Sequence, residues 1–174
     1  MGLEGKRVAV LAEDLYQDLE LWYPTIRLQE AGADVQIVGM PGVDTYESKH
    51  GYPVSVDAAF DEISPTQFDA VVIPGGYAPD LMRRHQALLE FVRGVFDSGG
   101  IVAFICHAGW VPISAGIVDG KRVTSFFAIK DDLVNAGADW VDEEVVQDGN
   151  LISSRTPADL AAFCRAIIAG LEKQ

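Results

Sequence analysis

Cys106 and His107 stand side by side at the end of an apolar run, Ile101-Val-Ala-Phe-Ile105, and ahead of a stretch rich in small residues that closes at Gly116. The run predicts a strand buried on both faces, and the stretch after it predicts a short buried helix. Cys106 then occupies a sharp strand-to-helix corner. Such a corner holds a nucleophile in strained backbone at the sheet edge and turns the positive end of the following helix toward it. The expected chemistry is that of a thiolate with a lowered pKa, able to attack an electrophilic carbon or to be oxidised.

Two further stretches can serve that sulfur. Phe68 to Pro74 reads as a sheet strand that runs into Gly75-Gly76, and paired glycines at a strand end allow the close backbone approach and free N–H groups that an oxyanion requires. Glu20 opens the helix after the first strand and could reach the corner. A carboxyl group beside a thiolate must either repel it or be protonated, and a protonated Glu20 would donate a hydrogen bond to the sulfur. His50 and His85 have no motif around them and read as surface or interface residues. Cys164, inside an apolar stretch, reads as a buried inert thiol.

The elements that must position these groups alternate along the chain. Arg7 to Ala12 reads as a strand and 18–31 as a helix ended by Gly32, with Pro24 early in it, near the first turn. Asp34 to Val38 follows as the second strand of a right-handed parallel unit. Residues 39–57 read as a loop with a short projecting hairpin. Asp80 to Asp97 reads as one long amphipathic helix carrying Leu81, Leu88, Leu89, Val92 and Phe96. Lys121 to Phe126 predicts a further strand, 128–136 a helix, Glu143 to Ser154 a hairpin turning at Asp148-Gly149, and Pro157 to Lys173 the closing helix. Without a linker or repeat, residues 1–174 read as one domain: a three-layer α/β/α sandwich with a mainly parallel central sheet, of the flavodoxin-like or class I glutamine amidotransferase-like kind. Cys106, Gly75-Gly76 and Glu20 all fall at the carboxyl edge of that sheet.

Composition narrows the function classes. The formal charge of −13, from 26 acidic against 13 basic residues, argues against nucleic-acid binding. No apolar run reaches membrane-spanning length, the N-terminal stretch lacks the pattern of a signal peptide, and two cysteines do not form a disulfide framework, so a reducing cytoplasm is expected. No metal-ligand spacing is present, and the turn after the first strand lacks the glycine fingerprint of a dinucleotide site, so neither metal nor cofactor is expected. Amidotransferase chemistry needs a late histidine, and none follows His107.

Taken together, Glu20, Ile73-Pro-Gly-Gly-Tyr77-Ala-Pro-Asp80, Ala103-Phe-Ile-Cys106-His107, Ile113-Ser-Ala-Gly116, Thr124-Ser125 with Ile129-Lys-Asp-Asp-Leu133, and Ser153-Ser-Arg155-Thr-Pro157-Ala-Asp159-Leu resemble the PfpI intracellular-protease-like branch of the ThiJ/PfpI superfamily over nearly the whole chain. The resemblance implies a cysteine-dependent stress-protection enzyme, a peptidase or a deglycase or glyoxalase-like enzyme acting on small reactive carbonyls and their adducts. It implies Cys106 as nucleophile, Glu20 as the protonated carboxyl beside it, and the Gly75-Gly76 turn and His107 amide at the oxyanion. It further implies that His107 works with an acid from a neighbouring subunit, at the position held here by Asp80, so a homo-oligomer, a dimer or a hexamer of dimers, completes the site. Three departures stand out: Asp80 replaces a more usual glutamate, Phe126 stands where relatives often carry a tyrosine near the substrate, and Ala108-Gly109-Trp110 replaces a Gly-Pro pair. The same residues admit a second function, a redox-sensing or chaperone-like stress protein in which Cys106 is reversibly oxidised without significant turnover.

Overall fold

The structure, a computed structural model, describes residues 2–174. In chain order the elements are β1 (Arg7–Leu11), α1 (Asp18–Glu30), β2 (Asp34–Gly39), β3 (Thr45–Glu47), β4 (Pro53–Ser55), β5 (Ala58–Ala59), β6 (Ala70–Ile73), α2 (Ala78–Met82), α3 (Gln86–Asp97), β7 (Ile101–Ile105), α4 (Trp110–Ser114), β8 (Arg122–Val123), α5 (Lys130–Asn135), β9 (Asp139–Trp140), β10 (Val145–Asp148), β11 (Leu151–Ser154) and α6 (Leu160–Leu171). The central sheet has the order β10-β11-β7-β6-β1-β2-β5. Every pair in it is parallel except the β10–β11 hairpin. β6 and β7 are buried along their whole length, which is why they read as unbroken apolar runs. Helices α1 and α6 pack together over one side of the sheet and α3 and α4 over the other, giving the expected three layers.

The strand order explains where a site can form. From β1 the chain crosses to β2 on one side, while β6, β7 and β11 lie on the other. The order reverses between β1 and β6, and a crevice opens there above the carboxyl ends of the strands. The loops after β1, β6 and β7 meet at that point.

Three local expectations differ from the structure. Pro24 lies well inside α1 and not in its first turn; it removes the bond that the Glu20 carbonyl would accept, while Thr25 Oγ1 donates to the Leu21 carbonyl at 2.7 Å. The long helix at 80–97 is two helices, broken at residues 83–85, where His85 takes extended backbone (φ −103°, ψ 108°) and Arg83 Nε donates to Ser114 Oγ at 3.0 Å. The strand expected at 121–126 is only Arg122–Val123 and pairs with β9 outside the central sheet. Residues 124–126 instead run past the crevice, with the Thr124 N–H donating to Ser153 Oγ at 2.9 Å and the Phe126 N–H to the Cys106 carbonyl at 3.2 Å. The 39–57 segment carries a hairpin, β3–β4, as expected, and directly after it comes the short edge strand β5, too brief to show an alternating pattern. No described helix is long and apolar enough to cross a membrane.

Candidate active site

Cys106 adopts φ +63°, and the only other described non-glycine residue with positive φ is Leu15, at +65°. Both line one cleft of about 400 Å³, together with Gln17, Glu20, Lys49, Gly76, Tyr77, His107, Phe126, Thr156 and Pro157. A left-handed backbone costs a side-chain-bearing residue roughly 1–2 kcal/mol, so the fold holds the cysteine at the corner against a local penalty. The sulfur-bearing residue is 9% exposed, at the floor of the cleft and open to it.

Glu20 is brought to the sulfur by two contacts. Gln17 caps α1, its side-chain carbonyl accepting from the Glu20 N–H at 2.9 Å. The fully buried Glu20 carboxyl then accepts from the Gly75 N–H through Oε2 at 2.8 Å. Its other oxygen, Oε1, has no conventional partner in the protein. A Cβ on Gly75 would lie 2.5 Å from Glu20 Oε2 and 2.8 Å from the Cys106 Cβ, so only glycine lets the three residues meet. Gly76, at φ +85°, is equally constrained, since a Cβ there would lie 2.6 Å from Gln17 N and Leu15 O.

This corrects the expected role of Gly75. Its N–H is committed to Glu20 and is not a free oxyanion donor; Gly75 positions the acid. The Gly76 and His107 N–H groups are the ones directed at the sulfur. They are the donors an oxyanion formed at that point would meet.

The electrostatics also differ from the expectation of a lowered thiol pKa. Burial, and after it the neighbouring Glu20 carboxylate, push the Cys106 thiol up to about 12, against the pull of the His107 and Gly76 N–H groups. Burial is the main cause and the acid beside the sulfur adds to it, while Cys106–Gly109 is a 3₁₀ turn and α4 only five residues long, so little helix dipole stands against them. Burial likewise raises Glu20 to about 7, although the Gly75 N–H stabilises its charged form. Removing the charge from Glu20 removes the repulsion and turns its O–H into a donor toward sulfur. The thiolate therefore depends on where the Glu20 proton is.

His107 Nδ1 lies 3.3 Å from Cys106 Sγ. Its ring stacks on Phe126 at 4.9 Å between centroids and meets Trp110 edge-on at 5.4 Å. Burial, with the Lys49 charge second, holds His107 below the usual imidazole pKa, so the ring is neutral at neutral pH. Phe126 thus forms a cleft wall and fixes the imidazole. Asp80 does not join this group within the chain: it sits on α2 beside the cleft and its carboxylate pairs with Arg84. His50 and His85 pair with Asp18 and Glu13, and Cys164 is buried in α6. Lys49 and Leu15 carry no site signal in the sequence, and Thr156-Pro157 stands there only within a family-like motif and as a helix start; all reach the cleft only through the tertiary fold. No group of three or more His, Cys, Asp or Glu among the described residues converges as a metal set would.

Because burial raises the Glu20 pKa, the folded state holds that proton more firmly than the unfolded chain. The stabilisation is complete below pH 4.5, the ordinary value, and is lost as pH rises through about 7. Glu20→Gln cannot lose that proton. Urea unfolding across this range should therefore show wild type weakening relative to Glu20→Gln by on the order of 3 kcal/mol, whereas a pH-independent difference would mean that Glu20 titrates as a solvated acid.

With the geometry in place, comparison with known proteins is informative. The DJ-1/PfpI family signature matches residues 6–170. A deglycase of Pyrococcus abyssi is 48% identical over 163 residues, covering 93% of this chain and 97% of the relative. Deglycase PfpI of Pyrococcus furiosus is 45% identical over 163 residues, with the same coverage of 93% and 97%. Among solved structures, a two-domain protein of Anabaena variabilis containing DJ-1/ThiJ/PfpI-like and ferritin-like domains superposes with a TM-score of 0.93 at 43% identity, over 96% of this chain and 48% of that one. Sequence and fold agree that this chain belongs to the DJ-1/PfpI family.

Proposed function

We propose that the chain is a cysteine-dependent deglycase with glyoxalase-like or peptidase-like chemistry, acting on reactive carbonyl compounds and their adducts. The observation that carries this is the convergence in one cleft of Cys106 at positive φ, the buried Glu20 carboxyl and the inward N–H groups of Gly76 and His107. The names of the relatives support the same class.

In this reading the reactive form is the less populated arrangement of the shared proton, the Cys106 thiolate with the proton on Glu20, since burial otherwise leaves the proton on sulfur. The sulfur forms a bond to the carbonyl carbon while the carbonyl π pair moves to oxygen, where the Gly76 and His107 N–H groups receive the charge. For an adduct whose amine is bound to that carbon, the oxyanion pair re-forms the carbonyl as the carbon–nitrogen bond breaks and the leaving amine takes a proton from the site, where His107 lies within reach; water then adds to the thioester carbon, the carbon–sulfur bond breaks, and the carboxylic acid and the Cys106 sulfur are released. The cleft accommodates a small adduct more readily than a folded polypeptide.

We further propose that the protein acts in the cytoplasm as a homo-oligomer in which the partner's Asp80 completes the His107 site. Two features support this. Leu19, Tyr23 and Ile26 form an exposed stripe at helical spacing along α1, with Leu19 56% and Ile26 60% exposed. Asp80 lies outside the cleft lining of its own chain, paired with Arg84 beside it on the surface, where a neighbour's site could meet it.

Cys106→Ser should lower kcat/KM for methylglyoxal and for glycated amine substrates by about 10³-fold or more; undiminished turnover would remove the nucleophile assignment. Mixing Cys106→Ser with Asp80→Asn subunits, each impaired alone, should restore up to about a quarter of wild-type activity, since a mixed dimer carries one intact composite site. Mixtures no more active than their components would show that Asp80 acts within its own chain or not at all.

A further inference from the structure

Lys49 stands apart among the residues that line the Cys106 cleft. The chain carries 26 acidic against 13 basic residues, yet the only carboxyl in that lining is Glu20, whose proton is retained to near neutrality. Lys49 is the only permanently charged residue there. Its field is felt by the site, since it opposes protonation of both Glu20 and His107.

The loop that carries Lys49 is built in place. Ser48 Oγ donates to Asp18 Oδ1 at 2.6 Å and accepts the N–H groups of His50 and Tyr52 at 3.1 and 3.0 Å. Asp18 Oδ2 lies 2.7 Å from His50 Nδ1, so both oxygens of this acid are engaged with the loop's other residues and leave the lysine ammonium without that carboxylate as a partner. The Lys49 N–H donates to the Tyr16 carbonyl at 3.0 Å, and Leu15 N–H to the Glu47 carbonyl at 2.7 Å, which ties the loop to the strained wall of the cleft. The backbone is fixed and the charge is free, as a ligand-binding cation requires.

We infer that Lys49 is a specificity-determining residue that receives an anionic group on the substrate, so that the carbonyl compounds favoured by Cys106 carry a negative charge near the reacting carbon. This rests on the reading of Cys106 as the reacting group and names the class of substrate it handles. An anion seated on Lys49 meets no ionised carboxylate in the cleft lining while Glu20 is protonated.

The test uses two probes that alkylate a thiol by the same displacement of iodide, iodoacetate and iodoacetamide, which differ in charge. Second-order rates at Cys106 are read by peptide mass analysis in wild type, Lys49→Gln and Lys49→Arg. The iodoacetamide rate reports any change in the sulfur's own acidity, so the ratio of the two rates isolates recognition of the anion. The ratio of iodoacetate to iodoacetamide should fall about fivefold in Lys49→Gln and stay within about twofold of wild type in Lys49→Arg. An unchanged ratio in Lys49→Gln, or an equal fall in Lys49→Arg, would overturn the inference. Alkylation needs no turnover, so absence of deglycase activity in wild type would count against the proposed function while this ratio still decides the role of Lys49.

Discussion

The site depends on a contact between two acids that share one buried corner. Glu20 and Cys106 are both withdrawn from water, and burial alone disfavours charge on either. Ionising both is costlier still, because each charge raises the pKa of the other. The pair therefore carries a single proton only above about pH 7, and its chemistry is decided by which atom holds it. The Gly75 N–H biases the proton away from Glu20, and the Gly76 and His107 N–H groups bias it away from sulfur. A substrate carbonyl that captures the sulfur's lone pair would tip that balance, leaving the proton on the carboxyl.

The remainder of the fold serves to bring three chain segments to that corner. Reversal of strand order between β1 and β6 opens the crevice, the cap by Gln17 fixes the first turn of α1, and two glycines allow backbone, carboxyl and cysteine to approach closer than any side chain would permit. Strain is concentrated at the same place, with Leu15 and Cys106 both held at positive φ on facing loops. Buried strands on either side supply the stability that sustains it. Phe126 contributes as a flat surface: it holds the imidazole of His107 by stacking where a hydroxyl-bearing side chain would instead offer a hydrogen bond.

What was legible in the sequence follows from how local each signal is. The corner at Cys106 could be read because an apolar run, a cysteine and a small-residue helix are contiguous, and the Asp148-Gly149 turn set the β10–β11 hairpin for the same reason. The partnership of Glu20 with Cys106 joins segments after β1 and β7, two strands apart in the sheet and far apart in sequence, and rests on the family resemblance as much as on the residues. Properties set by the tertiary environment were misread. A lowered thiol pKa follows from a helix dipole and a protonated Glu20, and burial of the sulfur, which no local pattern encodes, outweighs both; the Gly75 N–H reads as free because its partner Glu20 lies 55 residues away. The break between α2 and α3 and the departure of residues 124–126 from the sheet arise from contacts with α4 and β11 that no local pattern encodes.

The most direct measurement of the shared proton is a carbon-13 NMR titration of the Glu20 carboxyl in wild type and Cys106→Ala, recorded beside the thiolate absorbance of wild type. The account predicts a Glu20 midpoint near 7 in wild type, a different midpoint once the sulfur is removed, and no bulk thiolate absorbance until pH approaches about 12. A Glu20 midpoint in the ordinary carboxylate range, unmoved by loss of Cys106, would contradict it.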